Sequence, residues 1–80
     1  MLTPEQTRGK ALFVKSCAVC HTLADAGAKG IVGKNLDKTR PGANLVLKTL
    51  AVPPDNMPAG LVSGADARAV AAYVAAVAGR

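Results

Sequence analysis

The apolar positions of this chain form two helical stripes separated by a long, punctuated stretch. Near the start, Gly9, Leu12, Phe13 and Ser16/Cys17 recur at i, i+3, i+4 and i+7, the spacing that lines one face of a helix. Thr3-Pro4-Glu5-Gln6 stands just ahead of them. A threonine hydroxyl accepts from a first-turn amide, proline suits that turn, and glutamine three residues on completes a capping box. A helix should therefore begin at Pro4. Gly9 on its buried face costs a helix about 1 kcal/mol relative to alanine, so its presence predicts close approach by another helix. At the far end Val70, Tyr73, Val74 and Val77 repeat the same spacing. That helix should start at Ser63, carry Asp66 as an acidic first-turn residue and stop at Gly79.

Residues 22–42 read as loop, with Gly27, Gly30, Gly33, Pro41 and Gly42 as breaks. A short helix from about Ala43 to Leu50 should turn Leu45, Val46 and Leu50 inward. Beyond it, Pro53, Pro54 and Pro58 enclose a rigid loop around Met57. No segment alternates convincingly as a strand does, so the expected fold class is all-α: three main helices and long loops, forming a single domain over residues 1–80.

Composition sharpens this picture. Phe13 and Tyr73 are the only aromatic residues and there is no tryptophan, so large core-filling groups are scarce. A chain of this length buries only about 60% of its unfolded surface and usually needs a disulfide, metal, cofactor or partner to hold together. Something besides side chains should fill the middle. The most apolar run, Ala69 to Ala78, is ten residues, half the roughly 20 that cross a bilayer as a helix. It reads as helix packing. No long apolar stretch follows Met1 and Leu2, so a mature form or an excised domain is expected, with a signal peptide or membrane-anchored remainder absent from this chain.

The net charge of +5 lies entirely in residues 1–50, where eight basic residues face three acidic ones. Such a half suits an anionic membrane surface, nucleic acid or an acidic protein. Nucleic acid fits poorly, because Lys29, Lys34, Lys38 and Arg40 have no interleaved aromatics to stack on bases.

Cys17-Ala18-Val19-Cys20-His21 carries the chemistry. Cys-x-x-Cys-His is a highly specific signal for covalent attachment of haem c. Each thiol adds to one vinyl group, and the adjacent imidazole then lies under the ring and reaches the iron. Two other readings compete. A redox Cys-x-x-Cys belongs in a βαβ setting that this pattern lacks. Structural zinc wants four ligands, and the chain offers two cysteines and one histidine. For the second iron ligand the candidates are Met1, which is terminal, and Met57, held in Pro53-Pro54-Asp55-Asn56-Met57-Pro58. Prolines reduce the entropy lost when a loop must present a weak ligand, which favours Met57 over a mere gap-filling role. Arg40, Lys38, Asn44 and Lys48 are candidates for the haem propionates. Val32, Leu36, Leu45, Leu50, Leu61 and Val74 are candidates for the haem walls.

Taken together, Cys17-x-x-Cys20-His21, the segment Val32-Gly33-Lys34-Asn35-Leu36, Met57-Pro58 and the Gly9/Phe13…Tyr73 pair resemble a small bacterial class I cytochrome c over nearly the whole chain. The resemblance implies a few helices wrapped around one covalent haem, with the first and last helices crossing at Gly9, Phe13 and Tyr73. It also implies transfer of electrons between redox partners. One departure stands out. The family often has Gly-Pro-Asn-Leu where this chain has Gly33-Lys34-Asn35-Leu36. The carbonyl that would steady the proximal histidine survives, but the stiffness of proline does not.

A haem iron with both His21 and Met57 bound is coordinatively full, which suits electron transfer rather than peroxide or oxygen chemistry. No second histidine remains as a distal base. The expectation is a non-enzymatic, monomeric, periplasmic or otherwise extracytoplasmic carrier that docks on acidic redox proteins. Two alternatives stay open. One is a haem domain feeding electrons into a larger oxidoreductase; the other is a gas-sensing or peroxidase-type protein should Met57 be off the iron.

Overall fold

The computed structural model describes residues 2–16, 21–30, 35–52, 62 and 64–79. Helix α1 runs Pro4–Ser16. Its start follows the capping box: the Gln6 amide donates to Thr3 Oγ1 at 3.1 Å, and the Thr3 amide donates to Gln6 Oε1 at 2.9 Å. Glu5 in the first turn and Lys15 in the last both complement the helix dipole.

The chain then makes a small hairpin rather than plain loop. Strand β1, Thr22–Leu23, pairs antiparallel with β2, Ala28–Lys29, in the register Thr22 to Lys29 and Leu23 to Ala28. A 3₁₀ turn over Ala24–Ala26 joins them and closes at Gly27, whose φ of 64° is the left-handed value that glycine adopts without strain. Thr22 also bridges Asn35 in parallel fashion. Asn35 caps a one-turn helix α2, Leu36–Thr39, by accepting the Asp37 amide at 3.0 Å. Helix α3 follows at Ala43–Ala51 and α4 at Gly64–Val77. Ser63, the expected start of α4, lies outside the described residues, and Gly79 ends the segment with φ 75°. The all-α expectation holds, with α2 and a two-residue-deep hairpin added to the three main helices.

The core is the crossing of α1 and α4. A Cβ on Gly9 would overlap the Ala69 carbonyl and stand 2.9 Å from Tyr73 Cβ, so only glycine lets the two backbones meet there. Phe13 and Tyr73 pack edge-on beside it, ring centroids 6.1 Å apart at 61°. Seven residues of α4 are buried, among them Val70, Val74 and Val77, and Leu23 and Ala28 close the cluster from the hairpin.

Helix α3 behaves differently. None of its residues is buried. Val46 and Leu50 pack against the core with one side still open, as expected, but Leu45 is 55% exposed and does not point inward among the described residues. The physical reason is crowding of the pattern. Leu45, Val46 and Leu47 are consecutive, each turned about 100° from the last, so only part of this apolar set can meet α4.

Candidate functional site

Helix α1 ends at Ser16, and Cys17 and Cys20 lie outside the described residues. His21 follows at the entrance to β1 and is half-buried. Its carbonyl accepts the Gly30 amide at 3.2 Å, and the neighbouring Thr22 hydroxyl donates to the Gly30 carbonyl at 2.9 Å. Both ends of the hairpin are thereby tied together at the histidine. The bridge from Thr22 to Asn35 joins this point to the segment that leads into α2.

Two aspartates hold the turn that follows. Asp25 accepts the Tyr73 phenol at 2.6 Å and lies 3.7 Å from Lys10 Nζ. Burial, then this hydrogen bond, push the phenol well above its ordinary range. Asp37 accepts two backbone amides, Gly79 through Oδ1 and Ala24 through Oδ2, each at 2.8 Å. Those two bonds, with Arg40 nearby, hold its carboxyl below the usual carboxylate range against a smaller opposing effect of burial. Sequence reasoning passed over both aspartates. Asn35 ahead of Asp37 signals a helix start, but the amides that Asp37 takes are 13 and 42 residues away.

Arg40 caps the end of α2 at φ 47°, and its Nε donates to the Asp37 carbonyl at 3.4 Å. It borders a cavity of about 390 Å³ formed with Pro41, Gly42, Ala75, Ala78 and Gly79. His21 is not among the residues lining that space. Lys38, Asn44 and Lys48 are exposed on α2 and α3. Of the wall candidates, Val74 is buried in the core, Leu36 and Leu50 are half-buried against it, and Leu45 is largely exposed. Val32, Leu61 and Met57 lie outside the described residues.

The surroundings suit a large, flat, apolar group. A Cys-x-x-Cys-His motif follows the end of α1, the half-buried His21 has its backbone carbonyl tied at a hairpin mouth, and α3 carries four large aliphatic residues without burying one. The donor set of two thiols and one imidazole matches thioether attachment with histidine ligation. A four-ligand zinc site fits it less well.

Comparison with known proteins agrees. The family described as cytochrome c oxidase, cbb3-type, subunit III matches residues 4–74. The crystal structure of the c-type cytochrome SorU from Sinorhizobium meliloti superposes with a TM-score of 0.89 at 41% identity, covering 95% of this chain and 93% of that one. No curated protein matches. The chain belongs to the c-type cytochromes: it has the class I cytochrome c fold, and its cofactor is covalently attached haem c with its iron, the equipment of electron transport.

Proposed function

We propose that residues 1–80 form one cytochrome domain that shuttles single electrons between redox partners and catalyses no reaction of its own. Cys17 and Cys20 would hold the haem through thioethers, and His21 and Met57 would ligate its iron. When bound, the group supplies a one-electron ferric/ferrous couple. The residues would do the rest: the hairpin places His21, Met57 gives its thioether, and α3 with Leu36 excludes water from the ring. Arg40, with Lys38, Asn44 and Lys48 as further candidates, meets the propionates.

The observation that carries this reading is His21, half-buried and locked by the Gly30 ladder directly after Cys-x-x-Cys. A soft thioether in the ligand set together with an imidazole would favour the ferrous state and a high potential. The protein works as a monomer in the periplasm or a similar extracytoplasmic space and meets partners with acidic docking surfaces. Among the described residues no helix is long and apolar enough to cross a membrane.

The test is a pair of absorption spectra and an extraction. Denatured protein made with a haem-attachment system should keep its colour and the mass of one haem. The oxidised form should show the weak methionine-to-iron charge-transfer band, and Met57→Ala should abolish it, lower the potential and admit cyanide or CO. Colour lost to acid–acetone would defeat covalent attachment, and rapid cyanide binding by the unmutated protein would defeat ligation by Met57. The oxidase-subunit description of the matching family favours a second reading, a haem domain serving inside a larger oxidoreductase. Stable co-purification with an oxidoreductase would select it over the free carrier.

A further inference from the structure

We infer that Asp37 is the positioning residue for His21: its single carboxylate ties the turn that leaves the haem ligand to the end of the last helix, and so sets where the imidazole stands. The inference rests on the haem reading above, with His21 as a ligand.

Ala24 is three residues past His21, and its amide donates to Asp37 Oδ2 at 2.8 Å. The other oxygen takes the Gly79 amide, also at 2.8 Å. Asp37 itself is anchored in α2, whose first turn is capped by Asn35, and Asn35 bridges Thr22. Three segments distant in sequence therefore meet at one side chain: the turn after β1, the start of α2 after Asn35, and the residues just past α4. The β1–β2 hairpin has only two residues per strand, too few to hold its own place.

The geometry demands a carboxylate. Two backbone N–H groups point at two oxygens, and both oxygens are proton-free acceptors only when the group is ionised. Asparagine keeps the shape but puts an NH₂ against one of the amides, exchanging a hydrogen bond for two opposed donors. Around the carboxylate, Arg40 is the nearby cation on its own segment. Tyr73 faces it from α4, with its phenol given to Asp25, which Lys10 of α1 pairs in turn.

The test uses the holoprotein. In the unmutated protein the amide proton shifts of Ala24 and Gly79 should titrate together, at one pKa below the usual carboxylate range. The hyperfine-shifted His21 ring signals should follow the same curve. Asp37→Asn should speed amide exchange at Ala24 by about tenfold, displace those ring signals and move the midpoint potential. Asp66→Asn, which removes the same charge from the exposed Arg8–Asp66 pair, should leave the ring signals in place. The inference is overturned if the two amides titrate separately, or if the ring signals ignore the titration. It is equally overturned if Asp37→Asn and Asp66→Asn move the potential alike, which would make it charge alone. Haem ligation by His21 is read separately from the same ring signals at neutral pH, so a silent Asp37 beside a normally ligated haem counts against the positioning role only.

Discussion

The crossing of α1 with α4 and the helix α3 are built from similar apolar material yet end in opposite states. At the crossing, glycine, alanine and two aromatic rings interlock so closely that Phe13 and Tyr73 are 1% and 0% exposed. Along α3, larger aliphatic residues remain half open, and Leu45 is 55% exposed. Size does not decide burial here; complementarity does. Backbones that approach over Gly9 and Ala69 let small residues exclude water, whereas α3 meets α4 on one side and leaves its other apolar flank open among the described residues. On the function proposed above, the haem covers that flank.

The strongest way to break this contrast is to remove the tether. Cys17→Ser combined with Cys20→Ser should leave a chain without a cooperative thermal melt, judged by circular dichroism and proteolysis. Among 80 residues only two side chains are aromatic, and the tight crossing joins just two of the elements. Amide protection over 43–51 should vanish first, with residual helix in 4–16 and 64–77. A cooperative melt in the haem-free form would mean that α3 needs nothing more than α4.

Within the holoprotein, Phe13→Ala should cost about 3–5 kcal/mol, as for any fully buried ring whose space cannot collapse. Leu45→Ala sharpens the comparison from the other side. A leucine left in solvent is worth within about 0.5 kcal/mol, while one covered by haem should be worth about 2 kcal/mol or more. We expect the larger value in holoprotein, measured by denaturant titration of the ferric form. A cost near zero would remove Leu45 from the haem wall.

Much of the crossing was legible in the sequence, and the reason is range. The Thr3/Gln6 capping box spans four residues, and the stripe of Gly9 and Phe13 repeats every helical turn, so local patterns reveal both. The Phe13–Tyr73 contact followed from family resemblance, not from spacing. The β1–β2 hairpin went unread because two residues per strand cannot display an alternation. Leu45, expected inward, is 55% exposed, because α3 is apolar on most of its circumference and periodicity could not say which flank meets α4. Asp25 and Asp37 went unread because their chemistry lies in partners 48, 13 and 42 residues distant.

Asp37 gives the hairpin and the end of α4 a pH dependence that α3 should not share. Asp37 has its folded-state pKa depressed, chiefly by the Gly79 and Ala24 amides. Its contribution to stability is therefore complete above the ordinary carboxylate pKa and is lost as pH falls through the lower folded value. Unfolding midpoints should decline below about pH 4, and the decline should be shallower in Asp37→Asn. Tyr73→Phe should cost about 1 kcal/mol at neutral pH by removing the phenol's hydrogen bond to Asp25, which keeps Lys10 beside it. An unchanged acid limb in Asp37→Asn would assign the loss to other carboxylates.

The smallest expected effect concerns the surface and separates two kinds of lysine. Lys10 spends its charge on Asp25 at 3.7 Å, while Lys15 and Lys29 are exposed and pair with no carboxylate among the described residues. Charges that are already matched add little to the field a partner meets at a distance, and unmatched ones add most. Reversing Lys15 or Lys29 to glutamate should thus slow association with an acidic redox partner by roughly a few-fold each at low ionic strength. Stability and midpoint potential should barely move, because an exposed charge sits in high dielectric, away from the core. Stopped-flow rates across a salt series check this. Steering requires the second-order rate to fall steeply as ionic strength passes about 0.1 M, where the screening length is about 10 Å. A rate that is flat or rises with salt would assign these lysines to solubility and point to a neutral or basic partner.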